Sequence, residues 1–193
     1  MLRTSLSERV TVGRYEPGPS SKWSEQVRGR VRVYEPAGTM HAAVASAVFL
    51  ALATFVASRA RGVVFAGNAG FELPGRDDTV RAPDVSFLAA ERVPEGGFEG
   101  GYVCEAPDLA VEILSRRQSA WEMNEKLEDY FEAGTRLVWV IDPSNRTVAV
   151  HASRSSARWL RDDEVLEGDR VLPGFAMPVA DLFRLVAREA PTV

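Results

Sequence analysis

The chain has 193 residues, 46% of them hydrophobic and 26% charged, which is ordinary for a globular protein with a buried core. Its formal net charge of −4 argues against binding nucleic acid over the whole surface, but a nuclease with a local basic patch stays compatible with it. One cysteine and two histidines exclude an internal disulfide, a four-thiolate zinc site and a three-histidine zinc site, so a bound metal is expected to be a hard ion with oxygen ligands, Mg²⁺ or Mn²⁺.

The N-terminal residues predict an extension in front of one domain. Residues 1–22 include a turn-rich stretch at 16–21, and residues 23–193 are expected to fold as a single domain. The first 15 residues lack the apolar segment of a signal peptide, so the cytoplasm is the expected compartment.

Residues 27–33 predict a basic strand. Valines alternate there with arginines at period two, which places Arg28, Arg30 and Arg32 on one face. Such a face is usually solvated, and contact with phosphate groups is the alternative interpretation.

A long apolar helix is predicted from about His41 to Arg59. Its residues 42–57 carry no charge, but this run of 16 is shorter than the roughly 20 residues that span a membrane. We therefore favour a buried helix over a membrane helix.

The remaining patterns predict strands and two further helices. Strands are expected at 62–73, 83–89, 108–114, 137–141 and 146–152. Two further short strands are expected near Trp159 and Val171. Ser119 and Glu122 form the S-x-x-E capping box of a helix that Gly134 ends, and a Pro173–Gly174 turn precedes a last helix at about 179–190. The fold class expected is α/β (α+β, mixed sheet), a mixed β-sheet flanked by helices with a C-terminal β-hairpin and helix.

Two acids occupy strands that otherwise look buried. Glu112 lies in the apolar run 109–114, and Asp84 begins the strand that continues through Phe87. A buried ionised carboxylate is costly unless it is paired or binds a metal. On adjacent strands the two acids can share one Mg²⁺, which takes one or two carboxylates plus water and phosphate. The alternative is that arginines pair with them as buried ion pairs.

Other side chains are candidates for the same site. Lys126 lies at the edge of the apolar stripe of its helix, from where its ammonium can orient or deprotonate an attacking water. Asp108 shares a strand face with Glu112 but lies about 13 Å away, so it either orients the strand start or has an accessory role. His41, at a helix start, is either a phosphate or metal contact or a structural residue.

These segments together resemble a large, mostly uncharacterised family of restriction-endonuclease-like proteins with a PD-(D/E)XK core. The resemblance covers roughly residues 27–185 and rests on Arg81–Val85, Ala106–Ser115, Glu125–Leu127 with Tyr130, Ala133–Gly134, Val138–Pro143 and Leu172–Phe175. Each motif is weak by itself, but their order and spacing are fairly specific.

The resemblance implies a restriction endonuclease-like core and Mg²⁺-dependent cleavage of nucleic acid. Asp84 matches the aspartate of the Pro-Asp motif, and Glu112 matches the acid of the E-x-K motif. Leu114 stands at the lysine position of that motif, and the family resemblance points to Lys126 as the replacement. Met40 and His41 stand where the superfamily often has a glutamate, and Glu122 stands where relatives tend to have an aspartate.

Arg116 and Arg117 follow the Glu112 strand directly. They are either phosphate contacts or surface residues.

Three functions remain compatible with the sequence. The first is a Mg²⁺-dependent DNA endonuclease, which as a cutter of both strands is expected to be a homodimer. The second is a nuclease-fold protein without activity that serves as a binding or scaffold module. The third is an unrelated oligomeric protein in which the acids are structural.

Overall fold

The structure is a computed structural model that describes residues 24–59, 61–67, 69–98, 100–115 and 118–184. The strands of this part of the chain are, in order, β1 (Ser24–Val27), β2 (Arg30–Val33), β3 (Gly62–Ala66), β4 (Phe71–Glu72), β5 (Val80–Arg81), β6 (Val85–Ala89), β7 (Leu109–Ile113), β8 (Leu137–Asp142), β9 (Thr147–Ser153), β10 (Ser156–Leu160), β11 (Val165–Gly168) and β12 (Leu172–Pro178). Its helices are α1 (Thr39–Ala57), α2 (Ala120–Glu132) and α3 (Val179–Phe183). The expected extension at 1–22 lies outside the described residues, and so do Arg116 and Arg117.

A mixed six-stranded sheet forms the centre of the fold. Its strand order is β10-β9-β8-β7-β6-β3, and β7 and β8 are its parallel pair. Parallel neighbours need a crossover connection, and α2 supplies it. The continuous apolar runs of β7 and β8 suit strands that are covered on both faces, because both sides of each strand then meet other protein atoms. The expected mixed sheet flanked by helices, with a C-terminal hairpin of β11 and β12 and a helix, is confirmed.

Helix α1 covers one face of this sheet. Every fourth residue along it packs in the core with α3 and β12, namely Val44, Val48, Leu52 and Val56. Within the described residues, α1 is the helix that is long and apolar enough to cross a membrane, with 22% of its apolar window buried. Four residues of α1 are buried against the core, and the others are partly or fully exposed, so the expected buried helix is buried along one row only.

Helix α2 covers the other face. Its N-cap is Ser119, whose hydroxyl accepts from the backbone N–H of Glu122, while the Glu122 carboxylate accepts from the Ser119 N–H at 2.8 Å. The predicted capping box is thus present. The apolar stripe of α2 packs on Ala110 of β7 and Val138 of β8, so the polar residues beside the stripe are held close to the sheet.

The predicted strand at 27–33 is wrong, because the chain forms a hairpin there. Arg28 and Gly29 have φ of 50° and 74°, and this left-handed pair turns β1 back antiparallel onto β2. Two central residues with positive φ match the twist of a tight hairpin. Glycine adopts positive φ at the second of these positions without steric strain. These strands belong to a second sheet of order β2-β1-β5-β4.

Two other boundaries also differ from the expectation. The strand predicted at 62–73 divides into β3 and β4, which belong to different sheets. The Pro173–Gly174 pair lies inside β12 instead of forming a turn before a helix. The pairing of β12 with β11 shifts register at this pair, so proline and glycine create a bulge in an edge strand, where a missing N–H is tolerated.

Candidate active site

Strand register brings Asp84 and Glu112 to one place. Val85 of β6 lies opposite Val111 of β7, and the same antiparallel register continued by one residue puts Asp84 opposite Glu112. Directly opposite residues point to the same face of a sheet, with their Cβ atoms about 5 Å apart. The backbone N–H of Ile113 donates to Asp84 Oδ2 at 2.7 Å and fixes that carboxylate over the strand. This face is the one that α2 covers.

Glu112 is held by two donors from α2. Lys126 Nζ donates to Glu112 Oε2 at 2.7 Å, and the Tyr130 hydroxyl donates to Oε1 at 2.6 Å. Glu112 is 2% exposed, and this burial raises its pKa to about 7 although Lys126 opposes the rise. The nearby negative charge of Asp84 raises the pKa further. A carboxyl group with this pKa loses its proton near neutral pH, where a divalent cation can compete with the proton for it.

Glu25 is a third acid at this site, and the sequence analysis missed it. Its Oε1 lies 3.2 Å from Lys126 Nζ, and its Oε2 accepts from Arg81 at 2.9 Å and from the Tyr34 hydroxyl at 2.9 Å. Burial alone would raise the pKa of Glu25, but Lys126 and Arg81 lower it to about 2. Lys126 therefore lies between two anions, Glu25 and Glu112.

The charge of Lys126 follows from that position. Burial lowers the pKa of its ammonium, but Glu112 and Glu25 outweigh burial and raise the pKa above its ordinary value. Lys126 thus remains a cation throughout the physiological pH range. It can orient or stabilise an anion, whereas removal of a proton from water, the other role expected from the sequence, would require the neutral amine.

Arginines pair with other acids of the neighbourhood. Arg81, with no exposed surface, donates to Asp129 Oδ2 at 2.9 Å through Nε, and Asp129 Oδ1 accepts from Arg76 at 3.0 Å. Within the described residues no guanidinium hydrogen-bonds to Asp84 or Glu112. The arginine-pair interpretation of these two acids therefore does not hold there, and the charged partner of Glu112 is Lys126 instead.

His41 stands beside Asp84 at the start of α1. Its Nε2 lies 3.2 Å from Asp84 Oδ2, and its buried Nδ1 has no hydrogen-bond partner among the described residues. Burial lowers the pKa of His41, but the contact with Asp84 outweighs it and raises the pKa. His41 thus occupies the helix-start position next to the acids, with one ring nitrogen still available to a further group.

The structure keeps Asp108 and Glu122 away from this cluster. Asp108 accepts from the Ala89 N–H at 2.7 Å and from Arg92 and Arg136 at 2.8 and 2.9 Å, so it anchors the start of β7. The Glu122 carboxylate accepts from the Ser119 N–H in the capping box. A cleft of about 390 Å³ near Asp108, lined by Arg61, Arg136 and Arg170 among others, contains neither Asp84 nor Glu112.

The donor set fits a magnesium ion better than a metal that needs many protein ligands. In the described part of the chain, no three His, Cys, Asp or Glu side chains are placed to hold a metal ion together. Two carboxylates converge, however, and Mg²⁺ commonly binds through one or two carboxylates while water and substrate phosphate complete its shell. His41 Nε2, at 3.2 Å from Asp84 Oδ2, lies beside the same pair. Asp84 and Glu112 are accordingly the residues that would hold the ion.

Comparisons with known proteins identify the family and the fold. A family model named Uma2, described as "Putative restriction endonuclease", matches residues 13–180. A solved structure of a "putative nuclease belonging to DUF820" from Anabaena variabilis superposes with a TM-score of 0.80 at 21% identity, covering 92% of this chain and 99% of that one. At this identity the likeness shows the shared restriction endonuclease-like fold. No curated protein matches the sequence.

Proposed function

Because the chain belongs to the Uma2 family of restriction-endonuclease-like proteins, we propose that it is a Mg²⁺-dependent endonuclease that hydrolyses phosphodiester bonds in DNA. One observation carries the proposal: a buried carboxylate on β7 faces a second carboxylate from β6 and contacts a lysine from α2. Two acids and a cation that converge on one point suit charge stabilisation at a phosphate.

Each residue of the site has a distinct task in this reaction. Asp84 and Glu112 would hold Mg²⁺, which when bound would polarise a phosphate oxygen and promote ionisation of the attacking water. Lys126 stays an ammonium between Glu25 and Glu112, so it stabilises the negative charge that develops on the phosphate and orients the nucleophile. Tyr130 fixes the rotamer of Glu112, and Glu25 positions Lys126. His41 orients Asp84 through Nε2.

Cleavage of supercoiled plasmid in Mg²⁺ and in Mn²⁺ tests the proposal. The wild type is expected to nick or linearise the plasmid, and Asp84→Ala, Glu112→Ala and Lys126→Ala are each expected to lose the activity. Asp108→Asn is the matched control, since it changes a buried acid of the same strand region outside the cluster. Intact plasmid with the folded wild type under both metals would contradict the proposal.

A binding module without activity is the second candidate function. Its support is that Leu114 replaces the motif lysine and that both Glu112 oxygens already have donors in the protein. Such a module would bind DNA with the same affinity in wild type and Glu112→Ala, and would leave the plasmid intact.

We further propose that the protein is a cytoplasmic homodimer that acts on both strands of DNA. Support for the dimer comes from α1, whose outward row carries no charged residue and includes Leu50 at 67% exposure. A second copy of α1 is the occupant that we propose for this row. Recovery of the protein in the membrane fraction of lysed cells would contradict the cytoplasmic location.

A further inference from the structure

A basic and aromatic surface adjoins the carboxylate cluster, and the inference drawn from it rests on the proposed function. We name it the β2–α2 edge and define it by Arg28, Arg30 and Arg32 of the β1–β2 hairpin and by Trp121 on the first turn of α2. The proposed reaction assigns none of these residues a role.

The β2–α2 edge has a surplus of positive charge. Arg28 and Arg32 share a single partner, Glu125, at 3.5 and 2.5 Å. Arg30 is exposed and has no ion pair within the described residues. Glu125 is thus shared by Arg28 and Arg32, and also by Arg81 at 3.4 Å, while Arg30 adds an exposed guanidinium beside them. On a chain whose total charge is −4, this local surplus of positive charge favours an anionic partner at this place.

Trp121 gives the same edge a flat aromatic face. It is 64% exposed, although tryptophan is among the residues that gain most from burial. The Arg32 guanidinium lies 6.0 Å from the centre of its ring, and Glu125 holds Arg32 in that place. A fixed guanidinium beside an open indole presents a phosphate contact and a stacking surface side by side.

The register of the hairpin connects this edge to the site. Arg32 lies directly opposite Glu25, the acid that contacts Lys126. On α2, Trp121 lies one turn before Glu125, the carboxylate that holds Arg32, and Lys126 directly follows Glu125. Arg32 thus adjoins both the indole and the strand position opposite Glu25, so a single strand with a phosphate at Arg32 reaches the indole with a neighbouring base.

We propose that the β2–α2 edge binds an unpaired nucleotide next to the scissile phosphate, with its base stacked on Trp121 and its backbone phosphates at Arg30 and Arg32. A base inside a duplex has both faces covered by its neighbours, so stacking on Trp121 selects single-stranded, frayed or flapped DNA. Recognition is sequence-tolerant, because every base offers an aromatic face.

Fluorescence anisotropy with a labelled single-stranded oligothymidylate in EDTA tests the stacking. Trp121→Ala is expected to weaken binding about tenfold, the effect of losing one base–aromatic stack. Trp121→Phe keeps an aromatic ring and is expected to recover most of the affinity. Trp159→Ala is the matched control, because Trp159 has the same 64% exposure on β10, and it is expected to leave binding unchanged. The same oligonucleotide annealed to its complement is expected to respond less to Trp121→Ala.

The salt dependence of the same binding tests the phosphate contact. Arg30→Gln is expected to reduce the slope of log affinity against log salt concentration by about 0.7, the value for one phosphate contact to a single strand. Unchanged slopes would overturn the assignment of Arg30.

The outcomes separate this inference from the proposed function. If the wild type cleaves DNA while Trp121→Ala and Trp159→Ala bind the single strand equally well, the stacking surface is overturned and the nuclease stands. If Trp121→Ala alone loses binding while no metal supports cleavage, the stacking surface stands and the nuclease fails. Absence of single-strand binding by the wild type overturns the stacking surface.

Discussion

Lys126 holds together the two acids that the fold buries on either side of it. Glu112 and Glu25 both contact its ammonium, yet their environments differ, because Glu25 also has Arg81 and Glu112 has the negative Asp84 beside it. One acid is thereby kept ionised, and the other is left with a raised pKa. The two can be separated experimentally by the same conservative change at each.

Glu112→Gln is expected to abolish the rise in melting temperature that Mg²⁺ causes, while the stability without metal changes little. The amide removes the cost of a buried charge, and Lys126 keeps Glu25 as its anion. Thermal melts with and without Mg²⁺ measure both quantities. Unfolding of this variant would mean that Glu112 is a structural ion-pair member and would contradict the metal role.

Glu25→Gln is expected to lower the free energy of unfolding by about 3 kcal/mol, because Arg81 and Lys126 are then left buried with fewer anions. Urea titration measures the loss. A stability equal to the wild type would show that Asp129 and Glu112 suffice for these cations, and Glu25 would then have no positioning role.

The raised pKa of Glu112 makes metal binding depend on pH. Its pKa of about 7 lies above the ordinary value of 4.5, so protonation of Glu112 stabilises the metal-free fold at low pH, and this contribution is lost as pH rises through 7. Ionised Glu112 is the form that we expect to bind Mg²⁺. The stabilisation by Mg²⁺ is therefore expected to increase between pH 6 and pH 8. A stabilisation that is flat across this range, measured by the same melts, would contradict Glu112 as a ligand.

At the scale of the elements, α2 connects the site to the β2–α2 edge. Its first turn presents Trp121, its next turns present Glu125 and Lys126, and Tyr130 follows on the side that faces β7. The capping box at Ser119 fixes where this helix begins. The placement of the reacting groups relative to β7 therefore depends on a cap at the helix N-terminus as well as on the apolar stripe.

Ser119→Ala tests that dependence. Loss of the cap is expected to reduce stability by about 1 kcal/mol, the usual effect of replacing a serine N-cap by alanine. Denaturant titration measures the change. A value near zero would show that packing of the apolar stripe alone sets the start of α2.

Local patterns predicted the elements whose signals are short-range. Residues within one turn or one strand of each other predicted the capping box, the apolar run of β7 and the uncharged α1. The prediction that Glu112 is a site residue also came from such a local pattern, an acid in an apolar strand. The β1–β2 hairpin did not, because Arg28 in a left-handed conformation is rare and only Gly29 marked a turn. Glu25 was not predicted, because its partners Arg81 and Lys126 are far away along the chain. Its neighbours in the sequence are polar, so no local pattern indicates that this acid is buried.

At the scale of the whole molecule, the sheet separates two surfaces with different tasks. The α2 side carries the acids and the β2–α2 edge, and the α1 side carries an apolar helix with an uncharged outward row. An interface on the α1 side would leave the carboxylate cluster of each copy uncovered.

Leu50→Lys tests the homodimer. A lysine in the middle of the proposed interface is expected to convert a dimer into a monomer, since the charge would be buried without a partner. Sedimentation velocity of wild type and variant measures the state, with melting temperature as the check on folding. Identical sedimentation of the two proteins would exclude α1 as the dimer interface.

The most direct test of the account is a crystal soaked in Mn²⁺ and measured for anomalous scattering. The account predicts one peak between the carboxylates of Asp84 and Glu112, within about 2.0–2.3 Å of an oxygen of each, with Lys126 still beside Glu112. A peak bound elsewhere, or no peak in crystals of the folded protein at saturating Mn²⁺, would contradict it.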